Sequence, residues 1–567
     1  MNESPTASPE KPPASSAARI GWGILILATL YVCYFSHLGA IGFVGPDEPR
    51  YAWIARDMAE TGDWVTPRLY GKPWFEKPPL YYWGAAASFK VFGVSDAAAR
   101  LPSAISALLA TLALAWLAWR MYGGETARWL LLLLPTTVGM IGFSHAAATD
   151  MPFSGMLTIA MVCAAVVLRL APTARGGANP APTNTSTPWA ALILFGFFLG
   201  LAVLAKGPAG IILCGGAVFF WAIFTKRWRD AFRLLHPAAI AAFCLTALPW
   251  YILCARRNPD FFRIFIIEHN FKRYLTPEFQ HIQPFWFYGP ILLLAMLPWT
   301  VPLLWSALSG FLRLWRSRSV DHFSLLLLCW SGFTILFFTI SKSKLPGYVL
   351  PAIAPIALLT THWITSRLSH PKGARWLFSA VGLTLILLGV LASRFSDSIP
   401  FVTDLRPAPA VTLLTAVAIV GGVLTTAFAL FRRFDAAFLA AVISILGLMT
   451  VDTSYLWQLD DGISARPVVQ TALEHSTEGQ ITTATTYKLP RALKFQVDFY
   501  LHRETEEWTP SNPEHSVILT NRRNTQELTN LGARCLHYVV YPAVALCEGG
   551  SGESLLMRGA AGGGKLQ

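Results

Sequence analysis

Charge is what this sequence has little of. Asp, Glu, Lys and Arg make up only 14% of its 567 residues, while 54% are hydrophobic. A water-soluble domain carries about 25% charged residues. The deficit excludes a single water-soluble globule and makes the bilayer the solvent. No nucleic-acid-binding motif accompanies the net charge of +13, so that charge reads as a signal of membrane orientation and nucleic acid is not a partner. The first apolar run, starting at Ile20, lacks a clear cleavage site and reads as a retained helix. No convincing internal repeat is visible, although transporters often carry one. Cysteine is sparse too. Six of the eight lie in or beside apolar runs and behave as small hydrophobes. Cys535 and Cys547 lie in a polar C-terminal stretch; they could pair in an oxidising compartment or remain two free thiols.

What is present is a succession of thirteen apolar runs of spanning length, beginning near Ile20, Leu101, Trp129, Met151, Trp189, Gly207, Pro237, Phe285, His322, Leu350, Leu377, Pro409 and Ala436. The pattern predicts an α-helical polytopic membrane protein with about thirteen transmembrane helices. Residues 1–19 read as a disordered cytoplasmic segment, 20–452 as the membrane domain, and 453–567 as a small soluble α/β domain. In that domain Ser516–Thr520 and Leu536–Tyr541 look like strands and Ala492–Leu501 like a helix. Arg and Lys concentrate in alternate loops, at Arg120 and Arg128, at Lys226 to Arg233, at Arg313 to Arg318 and at Arg432 and Arg433. This positive-inside pattern puts the N-terminus in the cytoplasm and the C-terminal domain outside. Two long loops, 45–100 and 255–284, also lie outside.

Chemistry-bearing residues gather in those outer regions. The first loop opens with Gly45-Pro-Asp-Glu-Pro-Arg-Tyr51 and continues to Trp74-Phe-Glu-Lys-Pro-Pro79. Acids, bases and aromatics mixed in this way suit a wedge at the membrane surface that binds a ligand half lipid and half sugar phosphate. A solvated polar stop after a helix accounts for the acids equally well. Lys206, Lys342 and Lys344 lie on the outer side, against the positive-inside rule. A charge at membrane depth costs about 2.5–3.5 kcal/mol on insertion scales, so each needs a partner or a task. Carboxylates such as Asp47, Glu48 and Asp150 would make structural ion pairs; a phosphate would make a substrate site. The segment Glu268-His-Asn-Phe-Lys-Arg273 offers a His and an acid, which alone make no complete metal cage.

The segments Gly45–Tyr51 and Phe75–Pro79, with Asn258–Phe262, Glu268-His269, Gln283–Trp286, Leu297–Trp299 and Ser341–Pro351, resemble the bacterial lipid A 4-amino-4-deoxy-L-arabinose transferases and the dolichyl-phosphate-mannose–protein mannosyltransferases. These are membrane glycosyltransferases of the GT-C fold. The resemblance implies that Asp47 is the leading catalytic acid, with Asp150 as the acid after the third helix and Glu48 as the neighbouring alternative. It implies carrier-phosphate contacts from Lys77, from Lys272 or Arg273, and from Tyr348. Arg50 and Tyr51 are counted with the substrate-binding residues, and Lys206, Lys342 and Lys344 shape the positive field. Glu76 and His269 resemble positions that contact a divalent metal (Zn, Mg or Mn) in the aminoarabinose branch.

The implied activity is transfer of an aminoarabinose-like sugar or a hexose from a polyprenyl-phosphate carrier to lipid A, another envelope glycolipid or a protein. It would occur at the outer face of the bacterial inner membrane, among membrane lipids. The competing reading is a flippase for polyprenyl-linked sugars. The orientation is directly testable: reporter fusions after Arg229, Arg316 and Arg433 should report cytoplasm, and a C-terminal fusion should report periplasm. A cytoplasmic C-terminus would mean an even number of spans.

Overall fold

A computed structural model describes residues 16–170, 187–272, 275, 282–317, 320–368, 371–395, 408–475, 484–509, 517–535 and 544–548. Each of the thirteen expected apolar runs is helical. Among the described residues nine helices are long and apolar enough to cross a membrane, two further spans are bent helix pairs, and Arg19–Tyr34 and Ala209–Thr225 are shorter apolar helices. The protein is therefore a multi-pass membrane protein. The first helix, α1 (Ser16–Tyr34), begins earlier than the apolar run because Ser16, Ala17 and Arg19 extend it.

The loop 45–100 is mostly helical rather than irregular. It contains α2 (Asp47–Thr61), the short hairpin β1 (Arg68–Leu69) and β2 (Lys72–Pro73), and α3 (Leu80–Phe92). Ser95 caps the following span, α4 (Asp96–Tyr122), by accepting the Ala98 N–H at 3.2 Å. Acidic residues Asp47 and Glu48 occupy the first turn of α2, where the helix dipole favours negative charge.

The third and eighth spans are bent rather than straight, by 61° between α5 (Gly124–Leu133) and α6 (Val138–Ser144) and by 119° between Tyr288–Ala295 and Thr300–Leu312. The two breaks solve each other's hydrogen-bonding problem. The Val138 N–H donates to the Leu297 carbonyl at 3.1 Å, and the Trp299 indole donates to the Thr136 hydroxyl at 3.0 Å. Broken backbone at membrane depth is tolerated where such partners exist inside the protein.

The next spans are α7 (Asp150–Val167), α8 (Trp189–Lys206) and α9 (Ala209–Thr225). Gly207 takes a positive φ of 76° to end α8, and the Gly-Pro turn reverses the chain at Lys206. The last span, Phe434–Ile463, extends eleven residues past the expected boundary at 452, so the C-terminal domain starts near Ser464. That domain is α/β, as expected. Its sheet has the order β3-β4-β6-β5, built from β3 (Thr485–Tyr487), β4 (Val517–Thr520), β5 (Arg534–Cys535) and β6 (Ala545–Glu548). β3 pairs with β4 in parallel and the other pairs are antiparallel. The expected helix is present as Arg491–Leu501. The expected strand Leu536–Tyr541 lies outside the described residues, as does most of the linker 172–188.

The C-terminal domain is fastened to the membrane domain by polar contacts. Arg466 pairs with Asp96 at 2.9 Å and with Asp460 at 2.5 Å, and donates to the carbonyls of Gly39 and Ala40. The Tyr500 hydroxyl donates to Asp96 and accepts the Phe43 N–H. A Cβ on Gly42 would lie 2.0 Å from the Ser464 Oγ, so only glycine lets the strap after α1 pass beneath this domain. In the sheet Cys535 faces Cys547 and the two are joined as a disulfide, with Cα atoms 4.0 Å apart. Denatured, unreduced protein should therefore leave both cysteines unlabelled by an alkylating reagent; labelling of both before reduction would contradict the bond.

Candidate functional site

The site begins with a buried ion pair between Arg100 and Glu48. Glu48 is buried, and its two carboxylate oxygens accept from the backbone N–H groups of Val44 at 2.7 Å and Ala147 at 2.6 Å. The same oxygens accept from the Arg100 guanidinium at 2.8 and 3.1 Å. Arg100 in turn donates to the carbonyls of Leu38, Ile41 and Gly42. Both oxygens of Glu48, the alternative catalytic acid of the sequence, are thus each engaged by one backbone N–H and by the Arg100 guanidinium. Glu48 is the fastener that joins the end of α1, the start of α2, α4 and the segment before α7. Arg100 carried the same signal as Lys206, Lys342 and Lys344, a basic residue against the expected positive-inside pattern, and was not singled out in the sequence.

With Glu48 turned inward, its neighbour Asp47 points elsewhere, its side chain 52% exposed. Asp47 pairs with Arg50 at 2.5 Å, one helical turn on, and Arg50 pairs with Glu76 at 3.0 Å. Glu76 also lies 3.5 Å from Lys77. The row Asp47–Arg50–Glu76–Lys77 alternates in sign. Arg50 is buried against the rings of Tyr51, Trp74 and Phe495, the last from the C-terminal domain. Burial opposes its charge, but Glu76 first, then Tyr51 and Asp47, push its pKa above the usual guanidinium range.

At the far end of the row, Glu76 and Lys77 enter a cavity of about 360 Å³. Lys206, His269, Ser341, Ser343 and Tyr348 supply its other polar lining, and Ile212, Phe265, Leu275, Phe337 and Phe338 an apolar wall. Lys206 pairs with Asp150 at 2.5 Å and lies over the Tyr348 ring, 4.5 Å from its centroid. A Cβ at Gly347 would lie 2.6 Å from Asp150 Oδ1, so glycine allows the loop before Tyr348 to approach the ion pair. Of the residues expected to contact a carrier phosphate, Lys77 and Tyr348 line one cavity together with Lys206 of the expected positive field, although they come from distant segments.

Other expected residues lie elsewhere. Tyr51 is buried among Tyr81 and Tyr82 beneath Arg50 and does not line the cavity. Lys344 is buried and donates to the Ser341 carbonyl at 2.7 Å; burial, then the charge of Lys342, lowers its pKa. Lys342 and Lys272 are exposed and do not line the cavity, and Arg273 lies outside the described residues. Glu76 and His269 share the cavity, but no group of three or more His, Cys, Asp or Glu that could hold a metal ion occurs among the described residues. Glu76 is also engaged by Arg50 and Lys77. Two donors, one of them held by cations, do not make a metal site from protein groups alone. Phe265 and Ser343 were not anticipated; Ser343 belongs to a motif read only for its charged members, and Phe265 falls between two motifs.

Residues 22–265 match the family described as dolichyl-phosphate-mannose-protein mannosyltransferase. The undecaprenyl phosphate-alpha-4-amino-4-deoxy-L-arabinose arabinosyl transferase of Edwardsiella ictaluri is 33% identical over 376 residues, 66% of this chain and 64% of that protein. Its counterpart in Erwinia tasmaniensis is 35% identical over 318 residues, 56% and 54% of the two chains. The chain spans less than two thirds of the length of these curated relatives. In structure it is similar to ArnT from Cupriavidus metallidurans bound to undecaprenyl phosphate, with a TM-score of 0.71 over 93% of this chain and 98% of that one at 20% identity. The protein therefore has the GT-C fold of membrane glycosyltransferases. Within that class its sequence resembles the undecaprenyl phosphate-aminoarabinose transferases.

The fastener makes a prediction of its own. Glu48→Gln leaves the Arg100 charge buried without its partner, and breaking a buried pair costs about 3–5 kcal/mol. The variant should lose thermal stability and yield in detergent. A Glu48→Gln protein as stable as the parent but devoid of activity would instead mark Glu48 as catalytic.

Proposed function

We propose that the protein is a membrane glycosyltransferase. It takes a sugar, aminoarabinose-like or a hexose, from a polyprenyl-phosphate carrier and passes it to lipid A, another envelope glycolipid or a protein, at the periplasmic face of a bacterial inner membrane. The observation that carries this reading is the cavity, where an apolar wall from Ile212, Phe337 and Phe338 meets Lys77, Lys206 and Tyr348. A prenyl tail fits the first set and a phosphate the second.

The reaction is a single displacement at the anomeric carbon. The bond from that carbon to the carrier phosphate oxygen breaks, its electron pair stays with the phosphate, and the acceptor oxygen forms the new bond. Negative charge grows on the departing phosphate, where Lys77 and Lys206 favour the transition state over the ground state. Asp47, exposed and held by Arg50, accepts the proton of a hydroxyl acceptor. An acceptor that is already a phosphate needs no base, and Asp47 then keeps Arg50 and Glu76 in order. Lys342 adds to the outer positive field. A divalent ion between Glu76 and His269 would need its remaining ligands from water or substrate, and no step above requires one. Activity that survives both a strong chelator and His269→Ala would remove the metal from the scheme.

Purified protein in detergent should transfer labelled sugar from its undecaprenyl-phosphate form, which a flippase without a sealed membrane cannot do. Asp47→Asn should remain folded, bind the carrier, and lose about 10²–10⁴-fold in transfer to a hydroxyl acceptor. Lys77→Ala should lower both turnover and carrier affinity. If Lys77→Ala changes only protein yield, Lys77 is merely the ion-pair partner of Glu76.

A further inference from the structure

Between the spans His322–Ile340 and Leu350–Arg367 the chain makes a tight turn at Ser341-Lys-Ser-Lys344. Two hydrogen bonds brace it. The Ser341 hydroxyl donates to the Ser343 carbonyl at 2.9 Å, and the Lys344 ammonium donates to the Ser341 carbonyl. The Ser343 hydroxyl takes part in neither. Ser343 is only 2% exposed, its Oγ is buried with no hydrogen-bond partner, and the residue lines the cavity that holds Lys77, Lys206 and Tyr348. A buried hydroxyl is normally satisfied, and an unsatisfied one in a native protein calls for a missing partner. A lone water is a poor candidate, because it needs two to four polar groups of its own and much of the cavity wall is apolar.

We infer that the Ser343 hydroxyl donates a hydrogen bond to a phosphate oxygen of the polyprenyl carrier, which makes it a further binding residue of the site. This rests on the proposed reading of the cavity as a carrier site. The lysines supply charge without direction, since an ammonium is a freely rotating point donor. The hydroxyl stands on a turn braced on both sides and fixes where one phosphate oxygen lies. The braces at Ser341 and Lys344 hold that turn whether or not the ligand is present.

The test uses full-length protein in detergent and measures the dissociation constant for undecaprenyl phosphate together with melting temperature. A hydrogen bond to a charged group corresponds to about a tenfold to hundredfold change in affinity. Ser343→Ala should weaken undecaprenyl phosphate binding by that factor. Binding of undecaprenol, which lacks the phosphate, should be unaffected. The ligand-free variant should melt no lower than the parent, because the lost hydroxyl had no partner. Ser343→Cys, of similar shape and with a weaker donor, should fall between the two. Unchanged carrier affinity in Ser343→Ala overturns the inference, as does an equal loss for undecaprenol, which marks a packing effect. Phosphatidylglycerol that binds as tightly as the carrier and suffers the same loss overturns the assignment to the carrier. If the unaltered protein fails to bind undecaprenyl phosphate, the proposed function itself fails; if it binds and Ser343→Ala binds equally, only the role of Ser343 does.

Discussion

The ion pair of Glu48 and Arg100 is the constraint on which the outer end of the bundle depends. One carboxylate and one guanidinium gather five backbone groups, the carbonyls of Leu38, Ile41 and Gly42 and the N–H groups of Val44 and Ala147, onto α2 and α4. Buried charges of this kind are tolerated only when their hydrogen-bonding capacity is filled, and here it is filled from the backbone. The consequence is geometric. With Glu48 committed inward at the first turn of α2, the preceding carboxylate must face out and the next turn must present Arg50. The row from Asp47 to Lys77 follows from that commitment.

The C-terminal domain tightens the same arrangement from above. Arg466 and Tyr500 share Asp96 and hold the strap between α1 and α2, Tyr70 of the hairpin donates to Asp498, and Phe495 closes over Arg50. The domain thereby restrains the loop that carries Asp47 on two sides. In the membrane region the paired breaks at Thr136 and Leu297 take an equivalent role, since each supplies the partner that the other's interrupted helix lacks.

Much of this was legible in the sequence. The spans were readable because twenty apolar residues in a row have few alternatives in water. Asp47, Lys77, Lys206 and Tyr348 could be named because charge out of place and a motif resemblance both pointed at them. The bends were hidden, because Pro135 and Pro298 mark possible breaks without saying which backbone groups would compensate. Glu48 and Asp47 are adjacent and chemically alike, and only the fold separates the fastener from the exposed acid. Tyr51 looked like a surface aromatic because its burial depends on Tyr81 and Tyr82, thirty residues on. The helices inside loop 45–100 were missed because they are short of a span and mixed with polar and aromatic residues, and the extension of the last span to Ile463 because Asp452 ends the apolar run before the helix ends.

The account stands on one location for the carrier phosphate. A cryo-electron-microscopy structure of the protein with undecaprenyl phosphate would test it most directly. The account predicts phosphate density between Lys77, Lys206 and Tyr348, with the prenyl chain running along Phe337 and Phe338. A phosphate resolved elsewhere, with this cavity filled only by detergent or water, would contradict it.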